Sequence, residues 1–401
     1  MTMIGAFLVG LSFYDWILIL LTPGMVLSFY YVVAGYKGFL GFAPEIRVGA
    51  IPRLTLLYAA KQVNPTLQRS VDSVIHTFQE LGLPAPDVRV VVVSNHRELK
   101  DAKVILVPEN FQCQSMFKAR QLQYALQELP NSKDEWILHL DEDAHITPQT
   151  IKSIFRYINN GGNPVANGPT VFPFKGNIIG LFVEAQRAWT YFWCRSQQQS
   201  GHVHWMNGSN MLCRSDIEQS VGWNFKNLKF SEDTRFAYEA YKKYGKIFGW
   251  HGGLTLEDCP NSIGAALTQR MRWFWGGILQ TAHVPKSRLP RRLYSQIAWM
   301  MGFVLTVLIP TGIVVGLTTD STLSNEVYKV YGISASLIIW SLRYQFGLSQ
   351  HLRHSDIGLV KKIGLHLLII PASPLIELIC TVPTVLGLLL RPNRFVITAK
   401  G

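Results

Sequence analysis

The chain has 401 residues, of which 48% are hydrophobic and 16% are charged, and its formal net charge is +12. This charged fraction is well below the roughly 25% that is usual for soluble domains. The apolar residues concentrate before residue 35 and after Tyr294. Together, these two features exclude a wholly soluble protein. Much of the positive charge flanks these apolar segments and no basic run carries a nucleic-acid-binding motif, so we expect membrane lipid and no nucleic acid as a partner.

The N-terminal segment is apolar from Trp16 to Ala34. About 20 such residues span a bilayer. Because no positively charged stretch precedes it and no small-residue cleavage site follows, we predict a retained transmembrane helix, within residues 1–36.

The middle of the chain, residues 50–260, alternates strand-like and helix-like segments. The predicted strands are Leu54–Ala60, Asp87–Ser94 and Trp136–Leu140, and the predicted helices are Thr66–Leu81 and Ser115–Leu129. This alternation predicts an α/β fold with a Rossmann-like, mostly parallel sheet. Ligands bind such sheets at the carboxyl ends of the strands, so Ser94–Asn95 and Asp141–Asp143 should share one edge.

Apolar helices accompany this domain. Ile178–Trp193 fits an interfacial helix and a buried helix equally well, whereas the cationic and aromatic segment Ala265–Ala282, within residues 261–292, favours the membrane interface. Residues 293–401 should form transmembrane helices at about Ile297–Leu317, Val327–Leu348 and Ser373–Leu390. Positive charge in the last loop places the middle domain on the cytoplasmic face, although the C-terminal charges then lie outside, against the same rule.

One ionisable residue, Glu377, interrupts the last apolar segment. An ionisable group in such a segment is costly and is often functional. It could line a path for an acceptor or a lipid, pair with His366, or lie at the membrane interface.

The sharpest local motif is His139-Leu140-Asp141-Glu142-Asp143, in which a buried strand ends in two closely spaced carboxylates. Carboxylates in this arrangement can share a hard divalent cation, which neutralises the diphosphate of a leaving nucleotide. A solvated acidic turn is the simpler alternative for such a motif.

Two further motifs follow along the chain. Phe230–Arg235 contains Glu232 and Asp233, and Asp233 is the candidate base that removes a proton from an acceptor hydroxyl. The same segment also reads as a helix start, with Ser231 as the N-cap. In Gln269–Trp273, cationic side chains can bind a diphosphate and the indole can form a wall beside the acceptor; membrane anchoring is the alternative.

The ordered set of Asp-x-Asp, Glu-Asp and Gln-Arg-x-Arg-Trp, followed by apolar helices, resembles the family 2 membrane glycosyltransferases. These include the cellulose, chitin and hyaluronan synthases, ceramide glucosyltransferase and the Egghead-type β-mannosyltransferases. The resemblance covers about Leu54–Gly277 and the flanking helices. It implies a GT-A fold and an inverting transfer of a hexose from a nucleotide-sugar donor to a glycan or lipid-linked acceptor.

The resemblance also implies roles for individual residues. Asp141 and Asp143 would engage the donor and a Mn²⁺ or Mg²⁺ ion, with Asp233 as the base. The other residues expected on the donor side are Asn95, Lys118, Arg120, Gln269, Arg270 and Arg272. Those expected on the acceptor side are Gly208, Ser209, Glu232 and Trp273.

Two features bear on the donor. Glu257–Ser262 looks like the Glu-x-x-Pro stretch of Egghead-like enzymes, and Ser94-Asn95-His96 stands where many members carry an aspartate against the nucleobase. We therefore favour a β-mannosyltransferase that uses GDP-mannose. The alternative within the family is a UDP-glucose-dependent lipid glucosyltransferase or a small polysaccharide synthase.

Two other classes of protein compete with the enzyme. One is a transporter with a cytoplasmic domain, and the other is a membrane-anchored binding module without catalysis. A transporter predicts repeated halves and paired polar residues within several spans, and neither is visible in the sequence.

Overall fold

The computed structural model describes residues 50–94, 98–203, 205–300, 302–303 and 341–392. The predicted helix at Trp16–Ala34 and most of those at Ile297–Leu317 and Val327–Leu348 lie outside the described residues, as does Asn95.

The main sheet has seven strands. The strands of the structure are β1 (Arg53–Ala59), β2 (Asp87–Val92), β3 (Lys103–Leu106), β4 (Glu135–Leu140), β5 (Val165–Asn167), β6 (Thr170–Val171), β7 (Met211–Arg214), β8 (Phe248–Trp250) and β9 (Thr255–Leu256). The order in the main sheet is β3-β2-β1-β4-β7-β5-β8, and β6 and β9 form a separate small sheet. Within the main sheet, β7 alone runs antiparallel to its neighbours β4 and β5. The prediction of a mostly parallel sheet is therefore confirmed.

Helices cover both faces of this sheet and extend beyond it. They are α1 (Pro65–Glu80), α2 (Phe117–Ala125), α3 (Pro148–Asn159), α4 (Ile178–Gln198), α5 (Ser215–Val221), α6 (Glu232–Tyr244), α7 (Ile263–Gln280) and α8 (Leu359–Leu390). Short 3₁₀ turns follow α7 at Thr281–His283 and Lys286–Arg288. Further helical residues lie at 289–300 and 341–353.

Local chemistry explains where the helices on one face begin. The side chain of Asn64 accepts a hydrogen bond from the amide of Leu67, and Pro65 occupies the first turn of α1. Thr147 caps α3 in the same way, again with a proline in the first turn. Both arrangements satisfy amides that the helix leaves unpaired, so each helix starts at a fixed point relative to the preceding strand.

The sheet order places the predicted functional edge. β2 and β4 both pair in parallel with β1, so the carboxyl ends of these three strands meet. Ser94 bridges to Gln62 just beyond β1 and β2, and Asp141 follows β4 directly. Ser94 and Asp141 therefore follow strands on either side of β1, at the edge where the prediction placed them.

A second packed unit is made of helices. Buried apolar side chains of α4, including Leu181, Phe182 and Val183, pack with residues of α8 and of segment 341–353. The open choice for α4 is thus resolved in favour of a packed helix. Along α8, in contrast, many large apolar side chains are exposed, such as Leu359, Val360 and Leu389.

Within the described residues, α8 is the one helix that is long and apolar enough to cross a membrane. It begins earlier than the predicted segment Ser373–Leu390 and continues through Pro371, Pro374 and Pro383. Prolines are tolerated in such helices when neighbouring groups satisfy the freed carbonyls.

A buried network ties α5 to β4. The carboxylate of Glu218, which is fully buried, contacts His139 Nε2 at 3.0 Å and accepts a hydrogen bond from Trp223 Nε1 at 2.7 Å. Because His139 lies two residues before Asp141, this network holds the strand that leads to the acidic motif.

We expect Glu218→Ala to reduce the free energy of unfolding by about 2–4 kcal/mol, because it leaves two buried polar groups without their partner. The measurement is denaturant unfolding of the purified protein, followed by tryptophan fluorescence. Glu80→Ala, at the exposed end of α1, is the matched control. An equal effect of the two substitutions would show that the network contributes no stability.

Candidate active site

A salt bridge joins the acidic motif to α2. Lys118 Nζ lies 2.6 Å from Asp141 Oδ1 and donates a second hydrogen bond to the carbonyl of Gly208 at 3.3 Å. The amide of Asp141 donates to Ser209 Oγ at 3.2 Å. Four of the predicted residues, from three separate parts of the chain, therefore meet at the end of β4.

Asp233 belongs to the same cluster. A carbon atom placed as a side chain on Gly208 would lie 3.3 Å from Asp233 Oδ2 and 3.3 Å from Lys118 Nζ. Asp141 thus contacts Lys118 directly, and Asp233 lies near the same lysine. Because Gly208 has no side chain, the space beside Lys118 and Asp233 stays open. Glu232 and Asp233 form the first turn of α6.

The electrostatics of the cluster separate its carboxylates. Burial, followed by the charge of Glu232, raises the pKa of Asp233 to about 7, although the Thr234 amide and Lys118 act in the opposite direction. Burial disfavours the charge of Lys118, but Asp141, Glu232 and Asp233 outweigh it and raise the pKa of the amine. A carboxyl group with a pKa near neutrality can accept a proton at physiological pH, which is the requirement for a general base.

Arg272 faces these carboxylates from α7. Burial lowers the pKa of its guanidinium, and the nearby charges of Glu232, Asp141 and Asp233 oppose that shift. α7 comes this close because Gly276 has no side chain: a Cβ there would lie 2.3 Å from Ser231 Oγ. The structure therefore brings Asp141, Asp233 and Arg272 together in one cluster.

The predicted helix start at Ser231 is confirmed, but the Ser231 side chain does not cap the helix. Ser231 directly precedes α6, but it adopts a left-handed conformation with φ of 59°, and its side chain makes no capping hydrogen bond. The serine instead packs its hydroxyl against Gly276 of α7.

Trp273 lies next to a residue that the sequence analysis did not select. The guanidinium of Arg187, on α4, lies 4.7 Å from the centroid of the Trp273 ring and 5.3 Å from that of Tyr191. Arg187 also bonds Asn207 Oδ1 at 3.3 Å. Burial opposes its charge, but Tyr191, Glu184, Glu257 and Asp141 together raise its pKa. In the sequence, the only indication that Arg187 belongs to this site was its position, with Glu184, inside the apolar segment Ile178–Trp193.

Three predicted donor residues, Arg120, Gln269 and Arg270, bond to groups outside the cluster. Arg120 donates to the carbonyls of Pro108, at 2.6 Å, and Glu109, at 3.1 Å, and so braces the loop after β3. Arg270 is almost fully buried and donates to the carbonyl of Val183 at 2.8 Å, with Glu184 at 3.4 Å. Gln269, also buried, accepts from Arg270. The contacts of both arginines hold neighbouring elements together.

Asp141 and Asp143 have different surroundings. The Asp141 side chain is 38% exposed, whereas Asp143 is 2% exposed and accepts a hydrogen bond from the amide of Asp258 at 3.0 Å. The predicted Glu257–Ser262 stretch thus lies directly against the acidic motif.

Across the residues that the structure describes, no group of three or more His, Cys, Asp or Glu side chains gathers as a metal site. Two carboxylates with hard oxygen donors nevertheless fit a Mg²⁺ or Mn²⁺ ion that takes its other ligands from phosphate and water.

The fold and the cluster together define a class of protein. A mostly parallel sheet, with carboxylates, a lysine and an arginine gathered beyond the end of β4, is the arrangement of a GT-A glycosyltransferase, which acts on nucleotide-sugar donors. A sequence profile described as "Glycosyl transferase family group 2" matches residues 136–389. The chain belongs to this family.

Named relatives are similar over much of the chain. The β-1,4-mannosyltransferase egh of Drosophila melanogaster is 25% identical over 329 residues, which is 78% of this chain and 69% of that protein. The β-1,4-mannosyltransferase bre-3 of Caenorhabditis elegans is 24% identical over 281 residues, which is 63% of this chain and 59% of that protein. The chain therefore spans less than two thirds of the nematode relative.

A solved structure shares the fold. The mannosyltransferase PcManGT from Pyrobaculum calidifontis, in complex with GDP-Man and Mn²⁺, superposes with a TM-score of 0.53 at 12% identity, over 82% of this chain and 96% of that one. The predicted GT-A fold is confirmed by this likeness.

We expect Gly208→Ala to lower the rate of nucleotide release by about tenfold or more without unfolding the protein. The added methyl group would crowd Asp233 and Lys118, and a misplacement of about 1 Å at reacting groups can cost a hundredfold. Gly264→Ala is the matched control, because a Cβ there meets nothing within 4 Å. Equal rates for the two variants would separate Gly208 from the reaction.

Proposed function

We propose that the protein is an inverting β-mannosyltransferase that takes mannose from GDP-mannose and transfers it to a glycan or lipid-linked acceptor at the cytoplasmic membrane face. The relatives named as β-1,4-mannosyltransferases support the sugar and the stereochemistry. The exposed apolar residues of α8 support the membrane location. In this proposal, residues 50–260 are the catalytic domain, residues 261–292 lie at the interface, and residues 1–36 and 293–401 form membrane helices.

The single observation that carries the proposal is the position of Asp233. Its carboxyl group, with a pKa of about 7, lies in one cluster with Asp141, Lys118 and Arg272. A base and groups that stabilise a leaving diphosphate are then within one cleft, as an inverting transfer requires.

The reaction follows from this arrangement. The acceptor hydroxyl gives its proton to Asp233, and its oxygen forms a bond to the anomeric carbon. The bond from that carbon to the diphosphate oxygen breaks on the opposite face, and the electron pair leaves with the nucleoside diphosphate. Arg272 and Lys118 lie on the side of Asp141 and would stabilise the negative charge that develops there. Because a single displacement occurs, one carboxylate suffices and the configuration inverts.

Asp141 and Asp143 would hold a Mn²⁺ or Mg²⁺ ion. When bound, such an ion neutralises charge on the diphosphate. We assign Gly208, Ser209, Glu232 and Trp273 to the acceptor side.

The experiment that tests the function is a donor panel. Purified protein with Mn²⁺ is incubated with GDP-mannose, UDP-glucose and UDP-GlcNAc, together with a membrane extract as the acceptor source, and nucleotide release is measured. We expect release from GDP-mannose, and its loss when the metal is chelated. Release from UDP-glucose alone would support the lipid glucosyltransferase instead, and no release from any donor would reject the enzyme assignment.

A second prediction concerns the base. Asp233→Asn should lower turnover by about 10²–10⁴-fold, the usual contribution of a general base, while Asp72→Asn on the exposed face of α1 should have no effect. In the unmodified protein, turnover should rise with pH through about 7, because only the ionised carboxylate accepts a proton.

Lys118 provides a check on that assignment. Lys118 lowers the pKa of Asp233, so Lys118→Met should move the midpoint of the pH profile to higher pH. A midpoint that stays in place would mean that a group other than Asp233 controls the rate.

A further inference from the structure

A cavity of about 280 Å³ adjoins the catalytic cluster. Ser231 and Thr234, on either side of Glu232 and Asp233, contribute to its wall, as does Trp273. Several of its other walls are aromatic: Tyr191, Trp205, Tyr294 and Trp299. Such rings provide flat apolar surfaces with polar edges, which suit a sugar ring or an isoprenoid chain. The cavity extends from the cluster towards α8, where Glu377 lines it.

The arginines that line the cavity differ in whether a carboxylate lies close to them. Four arginines line it: Arg187, Arg270, Arg292 and Arg343. Glu184 lies 3.4 Å from both Arg187 and Arg270. Glu377 lies 3.5 Å from Arg343 and accepts a hydrogen bond from Tyr344 at 2.6 Å, so it pairs with these residues and not with His366.

Arg292 is different from the other three arginines. It is 4% exposed, and it has no carboxylate within ion-pair distance in the part of the chain that the structure describes. Its Nε atom has no hydrogen-bond partner among those residues, a feature that it shares with Arg343. A buried guanidinium without a counter-charge is unfavourable, and an anion that enters the cavity relieves that cost.

Gln296 lies beside Arg292, one helical turn further along segment 289–300. A Cβ on Gly277 would lie 2.5 Å from both Arg292 Nη2 and Gln296 Nε2, so the two side chains share the space that this glycine leaves. The Gln296 Oε1 atom has no hydrogen-bond partner in the described residues, but an amide oxygen only accepts hydrogen bonds, so the Nε2 donor is the atom that can bond an anion. The donors Arg292 Nη2 and Gln296 Nε2 therefore lie close together on two residues that line the cavity.

We propose that Arg292, assisted by Gln296, binds an anionic group, a phosphate or a carboxylate, on the acceptor that occupies this aromatic cavity. This inference rests on the proposed function and specifies the acceptor of the same site. The donor diphosphate is not the expected occupant, because Arg272 and Lys118 already lie beside Asp141. Arg292 instead has the side chains of Tyr238 and Cys194 as electrostatic neighbours.

The test measures binding and needs no turnover. The full chain in a neutral detergent is titrated with farnesyl phosphate, farnesol, inorganic phosphate and GDP, and quenching of tryptophan fluorescence reports occupancy, since three tryptophans line the cavity. We expect farnesyl phosphate to bind at least about tenfold more tightly than farnesol, the effect of a charge-assisted hydrogen bond. Inorganic phosphate separates the two sources of the anion: weaker binding indicates a lipid headgroup, and equal binding indicates a free phosphate compound.

Variants show whether Arg292 is responsible. Arg292→Met should remove the preference for farnesyl phosphate over farnesol and leave GDP binding unchanged, whereas Arg292→Lys should keep part of the preference. Arg291→Met is the matched control, because Arg291 is exposed and bonds Gln197. Thermal unfolding confirms that each variant is folded.

The outcomes are distinct from those of the donor panel. Equal binding of farnesyl phosphate and farnesol by the unmodified protein would overturn the anion site, and so would an unchanged preference in folded Arg292→Met. Neither result depends on which sugar nucleotide is used, so the anion site and the mannosyltransferase proposal can fail separately.

Discussion

The salt bridge between Lys118 and Asp141 is the interaction on which the rest of the site depends. Three carboxylates, those of Asp141, Glu232 and Asp233, influence this one amine. Like charges at such distances cannot all ionise without a cost. Lys118 contacts Asp141 directly, at 2.6 Å, while burial and the charge of Glu232 raise the pKa of Asp233 to about 7 against the opposing effect of Lys118. The two carboxylates therefore lie in different electrostatic surroundings around one lysine.

The antiparallel strand β7 explains how the segment with Gly208 and Ser209 reaches this pair. In an antiparallel pair, the start of one strand lies at the end of the other, and β7 pairs with β4 from His139↔Met211 onwards. The segment before β7, which includes Gly208 and Ser209, must then lie beside Asp141. A parallel strand in this place would have put that segment at the opposite edge of the sheet. The reversal of β7 is thus a functional feature of the fold.

The sequence predicted the parts of the protein whose chemistry is local. β1, β2, β4, α1 and the acidic edge follow from buried apolar runs and from the strand-end rule. The grouping of Asp141, Lys118, Asp233 and Arg272, in contrast, was implied by the family resemblance. Arg120 and Arg270 show what could not be predicted from the sequence. A cationic residue in a motif carries no information on which carbonyl it will meet, and these two bond to Pro108 and Val183. Arg187 was missed for the same reason, since its partners lie on other elements of the chain.

The helical layer connects the catalytic cluster to the apolar helix α8. Glu184 is fully buried and serves two arginines, Arg187 and Arg270, which both contact Trp273. Removing one member would leave another buried charge without its counter-charge, which is strongly unfavourable. α4 and α7 are thereby fixed to each other, and both pack on α8. An acceptor bound at the aromatic cavity would therefore be positioned by the same contacts that hold Trp273 in the cavity wall, so we expect α4, α7 and α8 to act on it as one unit.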